Sequence, residues 1–278
     1  MPNFSGPTGP GVNWEPQQAS ARLSMTAGAD PNGVFTSDLS VSEYALITEA
    51  GFEPLGFVVG STIYHVGLQP GKWSQNFELE ILTQAMYNAR EIAMSRMRSE
   101  AHQLNADGIV GVNLQIFDYT WGEDVLEFMA VGTAVRATSG AGAGLRAPDG
   151  GPFTSDLSAQ DFYRLLATGA SPVAFVLGTC VYHIAHYSFR QILQQSGMNT
   201  EMGLFTQGVY EARELALIRM QNEAAQVGAN GIVGVNFQVS NHVWGSHGTE
   251  FFATGTAIRR RADGQRPPTP TFTLGLDV

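Results

Sequence analysis

The chain contains the same segment twice. FTSDLS at 35–40 recurs at 153–158, and AREIAMSRMRSEA at 89–101 corresponds to ARELALIRMQNEA at 212–224. DGIVGVNLQ and EFMAVGTAVR of the first copy likewise return as NGIVGVNFQ and EFFATGTAIR. The two copies are offset by 118 positions up to His183 and by 123 positions afterwards. Two copies of about 100 residues each predict two similar domains and argue against a solenoid of many short repeats.

The copies define a simple domain layout. We predict repeat 1 over 34–137 and repeat 2 over 153–261. Residues 1–33 and 262–278 are rich in Pro, Gly and Thr, so they are predicted to be disordered tails. A Gly/Ala/Pro linker over 138–152 is predicted to be flexible. The C-terminal tail ends in TFTLGLDV, which is apolar enough to dock on a protein partner as an added strand. The alternative for this segment is a frayed terminus.

Each repeat begins with the signals of a short helix. Ser40 and Glu43 have the spacing of a capping box, and Gly51 is a suitable residue to end the helix that starts near residue 41. Repeat 2 has Ser158 and Asp161 in the same positions. A short helix is therefore predicted ahead of the main body of each repeat.

The main body of repeat 1 alternates strand and helix patterns. A β-branched apolar run predicts a strand over 57–66, and apolar residues three and four apart predict a long helix over 77–104. Strands over 109–117 and 125–137 follow, joined by a Gly-containing hairpin turn at 120–123. Repeat 2 has the same order, so the fold class is α+β: two small antiparallel sheets, each crossed by one long helix.

A three-stranded sheet covered on one face leaves its edges and its other face open, which favours self-association. Charged residues make up only 14% of the chain, and covered surfaces or dilution by the tails would each explain this.

The net charge of −10 argues against nucleic-acid binding. No secretory signal, disulfide framework or membrane-spanning stretch is recognised, so we expect a cytoplasmic protein without membrane insertion.

The helix AREIAMSRM…EA, the turn and strand NADGIVGV and the closing strand GTAV resemble the YbjQ-like family, described as heavy-metal-binding domains. The resemblance covers about Leu55–Arg136 and Val173–Arg259. It implies a dodecin-like β-α-β-β unit that assembles into rings, typically pentamers, in which extra strands join neighbouring subunits. It carries no defined set of functional residues. The duplication and the additional short helices depart from the usual single-domain member and leave the stoichiometry open.

Repeat 2 contains the candidate metal ligands. Cys180, His183 and His186 form C-x-x-H-x-x-H, and His242 and His247 flank the turn VWGS. If that turn closes a hairpin, the two imidazoles stand opposite each other, as ligands of a divalent transition metal would. A regular strand, however, places Cys180 and His186 on one side and His183 on the other. The sequence leaves open a metal site or polar histidines at a wet edge or ring interface.

Two charged pairs recur on the long helices. Arg96 and Glu100 are four residues apart, as are Arg219 and Glu223, and this spacing predicts pairs that fix packing. The segments Arg90–Glu91 and Arg213–Glu214 are predicted to lie on a solvated or intersubunit face.

The sequence favours a non-enzymatic protein. No nucleophile elbow or phosphate-binding loop occurs, and a cysteine inside an apolar strand is an inert thiol. The leading hypothesis is a ring-forming, pentameric scaffold or binding protein, a homo-oligomer. Its alternative is a metal-binding or metal-buffering protein that uses the histidines and the cysteine of repeat 2. An enzyme acting at a subunit interface is the third hypothesis.

Overall fold

The computed structural model describes residues 17–26, 29–30, 32–65, 75–118, 125–138, 144–184, 201–242 and 248–260. The elements of the first half are α1 (Gln17–Ser24), α2 (Val41–Glu49), β1 (Phe52–His65), β2 (Phe77–Glu78), α3 (Glu80–Gln103), β3 (Gly108–Asp118) and β4 (Val125–Ala137). Those of the second half are β5 (Phe153–Thr154), α4 (Ala159–Ala167), β6 (Ala170–His183), α5 (Gly203–Gln226), β7 (Gly231–His242) and β8 (Gly248–Arg260). The α+β class and the two tandem β-α-β-β units are confirmed.

The short helix α2 forms as its sequence predicts. The Ser40 hydroxyl accepts a hydrogen bond from the backbone N–H of Glu43, and the Glu43 carboxylate accepts one from the backbone N–H of Ser40. Gly51 follows with a φ of 86°, a left-handed conformation that costs glycine little. In repeat 2 the Ser158 hydroxyl caps α4 by accepting from the backbone N–H of Asp161.

Two predicted boundaries move for identifiable reasons. Strand β1 begins at Phe52, before Pro54, because the ladder with β4 is irregular between Pro54 and Gly56 and tolerates the missing N–H. Helix α3 begins at Glu80 because Phe77 and Glu78 form strand β2 and Leu79 is the N-cap residue.

Each repeat contributes a three-stranded antiparallel sheet, with strand orders β1-β4-β3 and β6-β8-β7. Each sheet then gains a fourth strand from the other repeat. Strand β2 precedes the helix of repeat 1 but pairs antiparallel with β6, and β5 opens repeat 2 but pairs parallel with β3. The two repeats therefore exchange one short strand each.

The long helices lie very close to their own sheets. A Cβ atom added at Gly60 would lie 2.1 Å from the carbonyl oxygen of Ala93, and one added at Gly178 would lie 2.0 Å from that of Ala216. No side chain fits at these crossings, so glycine is required where α3 passes over β1 and α5 over β6.

Parts of the segments around the repeats contact repeat 1. Within the predicted N-terminal tail, Gln17–Ser24 forms α1 and buries Leu23 against repeat 1. In the predicted linker, ion pairs of 2.6 Å (Arg98 with Asp149) and 2.5 Å (Arg146 with Asp107) join its second half to repeat 1. The disordered tails and the flexible linker stay predictions. None of the described helices is long and apolar enough to cross a membrane.

Candidate functional site: the interface between the repeats

Helix α3 lies between two sheets. One side of the helix covers its own sheet, and the other covers the face of the repeat 2 sheet that points away from α5. The buried cluster around α3 accordingly contains residues of repeat 2: Phe175, Leu177, Val181 and Phe252. Burial of this apolar surface joins the two repeats into one folded unit.

A buried ion pair lies at the centre of this interface. Nη1 of Arg90 donates to Oε1 of Glu250 over 2.6 Å, and the two side chains are 0% and 1% exposed. The Thr179 hydroxyl donates to the same carboxylate oxygen over 2.6 Å. The guanidinium carbon of Arg90 lies 4.0 Å from the ring centroid of Phe252 and 5.4 Å from that of Phe128. Such stacking stabilises an arginine whose Nε and Nη2 have no hydrogen-bond partner among the described residues.

The exchanged strand β2 is held by a second ion pair. Arg219 on α5 donates to both carboxylate oxygens of Glu78, over 2.7 and 2.9 Å, and also donates to the carbonyl oxygen of Thr179 over 2.8 Å. Beside this pair, the backbone N–H of Val181 donates to the Thr83 hydroxyl over 2.9 Å. The start of α3 thus satisfies the edge of β6 that would otherwise stay open.

The exchanged strand β5 fills the opposite edge. The ring of Phe153 is fully buried and lies against Gly108, where an added Cβ would stand 2.1 Å from a ring carbon. Phe153 also stacks on Phe162 and meets Phe52 edge-on, with ring centroids 5.9 and 6.0 Å apart. Helices α2 and α4 pack around this aromatic group, so the edge is closed by an apolar cluster from both repeats.

The carboxyl of Glu223 is a titratable group whose pKa the interface changes. It accepts hydrogen bonds from the backbone N–H of Leu177 over 3.1 Å and from the Tyr87 hydroxyl over 3.3 Å. Burial, followed by the charge of Glu91, raises the pKa of Glu223 to about 8. The corresponding residue of repeat 1, Glu100, instead forms a 2.5 Å ion pair with Arg22 of α1.

The charged residues of the two helix pairs contact side chains and backbone groups outside their own pair. Arg96 donates to the carbonyl oxygen of Ser61 over 2.5 Å, whereas Glu100 binds Arg22. Arg219 binds Glu78, whereas Glu223 faces Leu177 and Tyr87. Each of these four side chains therefore contacts a strand edge, helix α1 or the other repeat. A role of the pairs in packing stays a prediction.

The structure describes only some of the candidate metal ligands. Cys180 is buried beneath α5, and burial raises the pKa of its thiol to about 12, whereas metal ligation needs the thiolate. His183 lies three residues further along β6, on its other face, with its ring 5.3 Å from that of Phe77. The backbone of His242 pairs with Gly248 in the hairpin ladder, and His186 and His247 lie outside the described residues.

Within the described part of the chain, no three His, Cys, Asp or Glu residues group as metal ligands. The metal site therefore stays a prediction. The role of Arg90 and Glu250 was not recognised from the sequence. The signal for it was that the other repeat has the same residue types at the equivalent positions, Arg213 and Glu127.

The fold and the interface define a tandem α+β protein whose two repeats complete each other's sheets. Residues 74–138 and 173–261, more than half of the chain, match the family YbjQ_1, described as "Putative heavy-metal-binding". The chain belongs to this family.

Three relatives extend the comparison. The chain is 54% identical over 243 residues to the encapsulin nanocompartment protein Rv1762c of Mycobacterium tuberculosis, covering 87% of this chain and 92% of that protein. It is 35% identical over 89 residues to a UPF0145 protein of Pseudothermotoga lettingae, covering 30% of this chain and 82% of the relative. It is 37% identical over 70 residues to a UPF0145 protein of Acinetobacter baylyi, covering 25% and 63%.

Proposed function

We propose that this protein is a self-assembling, non-enzymatic scaffold or binding protein of the cytoplasm. The observation that carries the proposal is an unequal coverage of two equivalent sheet faces. Val181, on the outer face of the repeat 2 sheet, is 0% exposed beneath α3, whereas the corresponding Ile63 of repeat 1 is 56% exposed. An apolar sheet face that is covered in one repeat and open in the other favours association with a further subunit.

The relatives support a place in a larger assembly. The Mycobacterium tuberculosis relative is named as an encapsulin nanocompartment protein, and the two proteins match over most of both chains. We infer that this chain is likewise a component of an encapsulin nanocompartment. The C-terminal segment 262–278 is the part we propose to contact a protein partner, since the sequence of its last residues, TFTLGLDV, is apolar enough to dock as an added strand.

Light scattering coupled to size-exclusion chromatography tests the self-assembly. One chain has a mass of 29.9 kDa, and we expect a single species of several times this mass at micromolar concentration. A monodisperse species of one chain over the same concentration range would refute the scaffold proposal.

Co-expression with the encapsulin shell protein of the same organism tests the partner. We expect the two proteins to sediment together as a particle much larger than either alone. A variant that ends at residue 261 serves as the control for the tail: it should keep its own oligomeric mass and lose the shell. Sedimentation of the full chain apart from the shell would contradict the partner proposal and leave self-assembly standing.

A further inference from the structure

We propose that one contact between the two repeats is a proton-dependent switch. The Glu223 contact, formed by Glu223 of repeat 2 with Tyr87 of repeat 1 and the backbone N–H of Leu177, is closed while the carboxyl is neutral and opens locally when the carboxyl is ionised. All of its parts lie within one chain, so the switch does not depend on the proposed self-assembly.

The first argument is that a single carboxyl group joins three elements of the two repeats. Glu223 lies on α5, Leu177 on β6 and Tyr87 on α3. The backbone N–H of Leu177 and the hydroxyl of Tyr87 both donate to Oε2 of Glu223, over 3.1 and 3.3 Å. Since Oε2 accepts both bonds, the proton of the neutral carboxyl belongs on Oε1. The Tyr87 hydroxyl stays a donor, because burial raises the pKa of Tyr87 above its ordinary value.

The second argument is that the equivalent contact of repeat 1 contains a cation. Glu100 corresponds to Glu223, and its Oε2 accepts from the backbone N–H of Val59 over 2.8 Å. The second donor to this oxygen is Arg22 of α1, in an ion pair of 2.5 Å, where repeat 2 has Tyr87. The same carboxyl position therefore faces a guanidinium in one repeat and a phenol in the other.

The third argument is the negative charge beside the Glu223 contact. Glu91 lies on α3, one turn after Tyr87. Burial, followed by the charge of Glu91, raises the pKa of Glu223 to about 8. An ionised Glu223 would thus place a second carboxylate charge near Glu91, at the junction of the two repeats.

The nearby arginines are engaged elsewhere. Arg98 on α3 attracts Glu91 and forms its own ion pair with Asp149. Arg219 on α5, one turn before Glu223, binds Glu78 of the exchanged strand. Strand β6 contributes only a backbone N–H to the contact. Among the described residues, none forms an ion pair with Glu223, so its charge is not compensated.

Ionisation favours an open form in which water hydrates the carboxylate. A shift of α3 away from β6 near Tyr87 would admit this water and increase the distance to Glu91. The Arg90–Glu250 ion pair and the exchanged strands keep the repeats joined, so the opening is local. The closed form binds a proton that the open form releases. Its stability is therefore complete below the ordinary pKa of 4.5 and is lost as the pH rises to about 8.

Hydrogen exchange followed by mass spectrometry of the full chain tests the switch. The backbone N–H of Leu177 is bound to Glu223, so its exchange reports the opening. After correction for the intrinsic rate of exchange, we expect its protection to fall about tenfold per pH unit between about pH 5.5 and pH 7.5, since opening releases one proton. The N–H of Val59, bound to Glu100, is the internal reference and should keep its protection.

Three variants separate the titration of Glu223 from other effects. In Glu223→Gln the side chain cannot ionise, so the protection of Leu177 should not change with pH. Tyr87→Arg supplies a guanidinium as Arg22 does in repeat 1, and it should likewise remove the decline. Glu100→Gln is the matched control in repeat 1 and should leave the decline at Leu177 unchanged. Circular dichroism at each pH confirms that the variants are folded.

Constant protection of Leu177 in the wild-type protein over this pH range overturns the proposal. An equal decline at Leu177 and Val59 also overturns it, because that result indicates a general loosening of the chain. A decline that persists in folded Glu223→Gln protein would assign the titration to another group and overturn the role of Glu223.

Discussion

Arg90 on the long helix of repeat 1 and Glu250 on the last strand of repeat 2 form a fully buried ion pair, 160 positions apart in the chain. The pair lies at the centre of an apolar interface, stacked on Phe252 and joined by the Thr179 hydroxyl. It follows that the two repeats are one structural unit, since separating them would expose both charges and the apolar surface around them.

Removal of one partner of this pair is expected to destabilise the chain strongly. Arg90→Ala leaves the Glu250 carboxylate buried without its cation, which typically costs about 3–5 kcal/mol in the free energy of unfolding. Urea unfolding measures the loss. The matched control is Arg98→Ala on the same helix, whose partner Asp149 is exposed, and it should change the stability by about 1 kcal/mol or less. Equal effects of the two substitutions would contradict the role of the buried pair.

The raised pKa of Glu223 predicts a specific pH dependence. Its pKa is about 8 in the folded chain and near the ordinary 4.5 in the unfolded chain. Between these values the folded chain binds more protons than the unfolded chain, so its free energy of unfolding falls as the pH rises. We expect Glu223→Gln to reduce this decline between about pH 5 and pH 8 and to stabilise the chain most at the upper end.

Urea midpoints at several pH values measure the decline. Glu214→Gln, an exposed carboxylate on the same helix, is the control and should follow the wild-type curve. A Glu223→Gln variant with the wild-type slope would show that this carboxyl is ionised throughout the range.

The close approach of helix and sheet makes Gly178 intolerant of substitution. In Gly178→Ala the new Cβ would lie 2.0 Å from the carbonyl oxygen of Ala216, so α5 must shift away from β6. We expect a loss of about 1–3 kcal/mol, as for other overpacked positions. Gly203→Ala is the control, because none of the described residues places an atom within 4 Å of its added Cβ and alanine favours a helix. Thermal melts compare the two, and similar melting temperatures would refute the close crossing.

The thiol of Cys180 is expected to be inert in the native protein. It is buried, and its pKa is raised to about 12, so almost none is thiolate at pH 8. A colorimetric thiol reagent should label it only after unfolding in guanidinium chloride. Stoichiometric labelling of native protein within minutes would contradict the burial.

Elemental analysis addresses the metal-binding alternative separately. We expect Cys180→Ser to leave any bound metal unchanged, since burial raises the pKa of this thiol and disfavours the thiolate that a metal needs. A stoichiometric transition metal that disappears in a His242→Ala/His247→Ala variant would favour the alternative function.

Much of the fold was predictable because it depends on local patterns. The capping box at Ser40, the periodicity of α3 and the bounds of β4 at Val125 and Ala137 follow from short-range chemistry. The two-residue strands β2 and β5 were missed, since two residues carry no periodicity and their partners lie in the other repeat. Helix α1 was missed because the surrounding Pro and Gly residues dominate the composition of that segment.

The interface between the repeats was harder to predict because its contacts join residues far apart in the chain. Arg90 and Arg213 occupy the same position in almost identical segments, yet one is buried and the other exposed. Only the relative placement of the repeats decides this difference, and a single sequence does not contain it. The long-range partners of Arg219 and Glu223 have the same origin, because spacing along one helix cannot indicate a side chain of another repeat.

Cysteine cross-linking tests the central claim most directly. In the chain, Glu78 of β2 pairs with Tyr182 of β6, so Glu78→Cys/Tyr182→Cys in a Cys180→Ser background should oxidise to a link within one chain. The matched control is Glu78→Cys alone in the same background, which has a single thiol. Under mild oxidation we predict an internally linked, faster-migrating chain on a non-reducing denaturing gel for the double variant and no shift for the control. A folded double variant that keeps two free thiols under these conditions would contradict the exchange of strands between the repeats, which is the central claim.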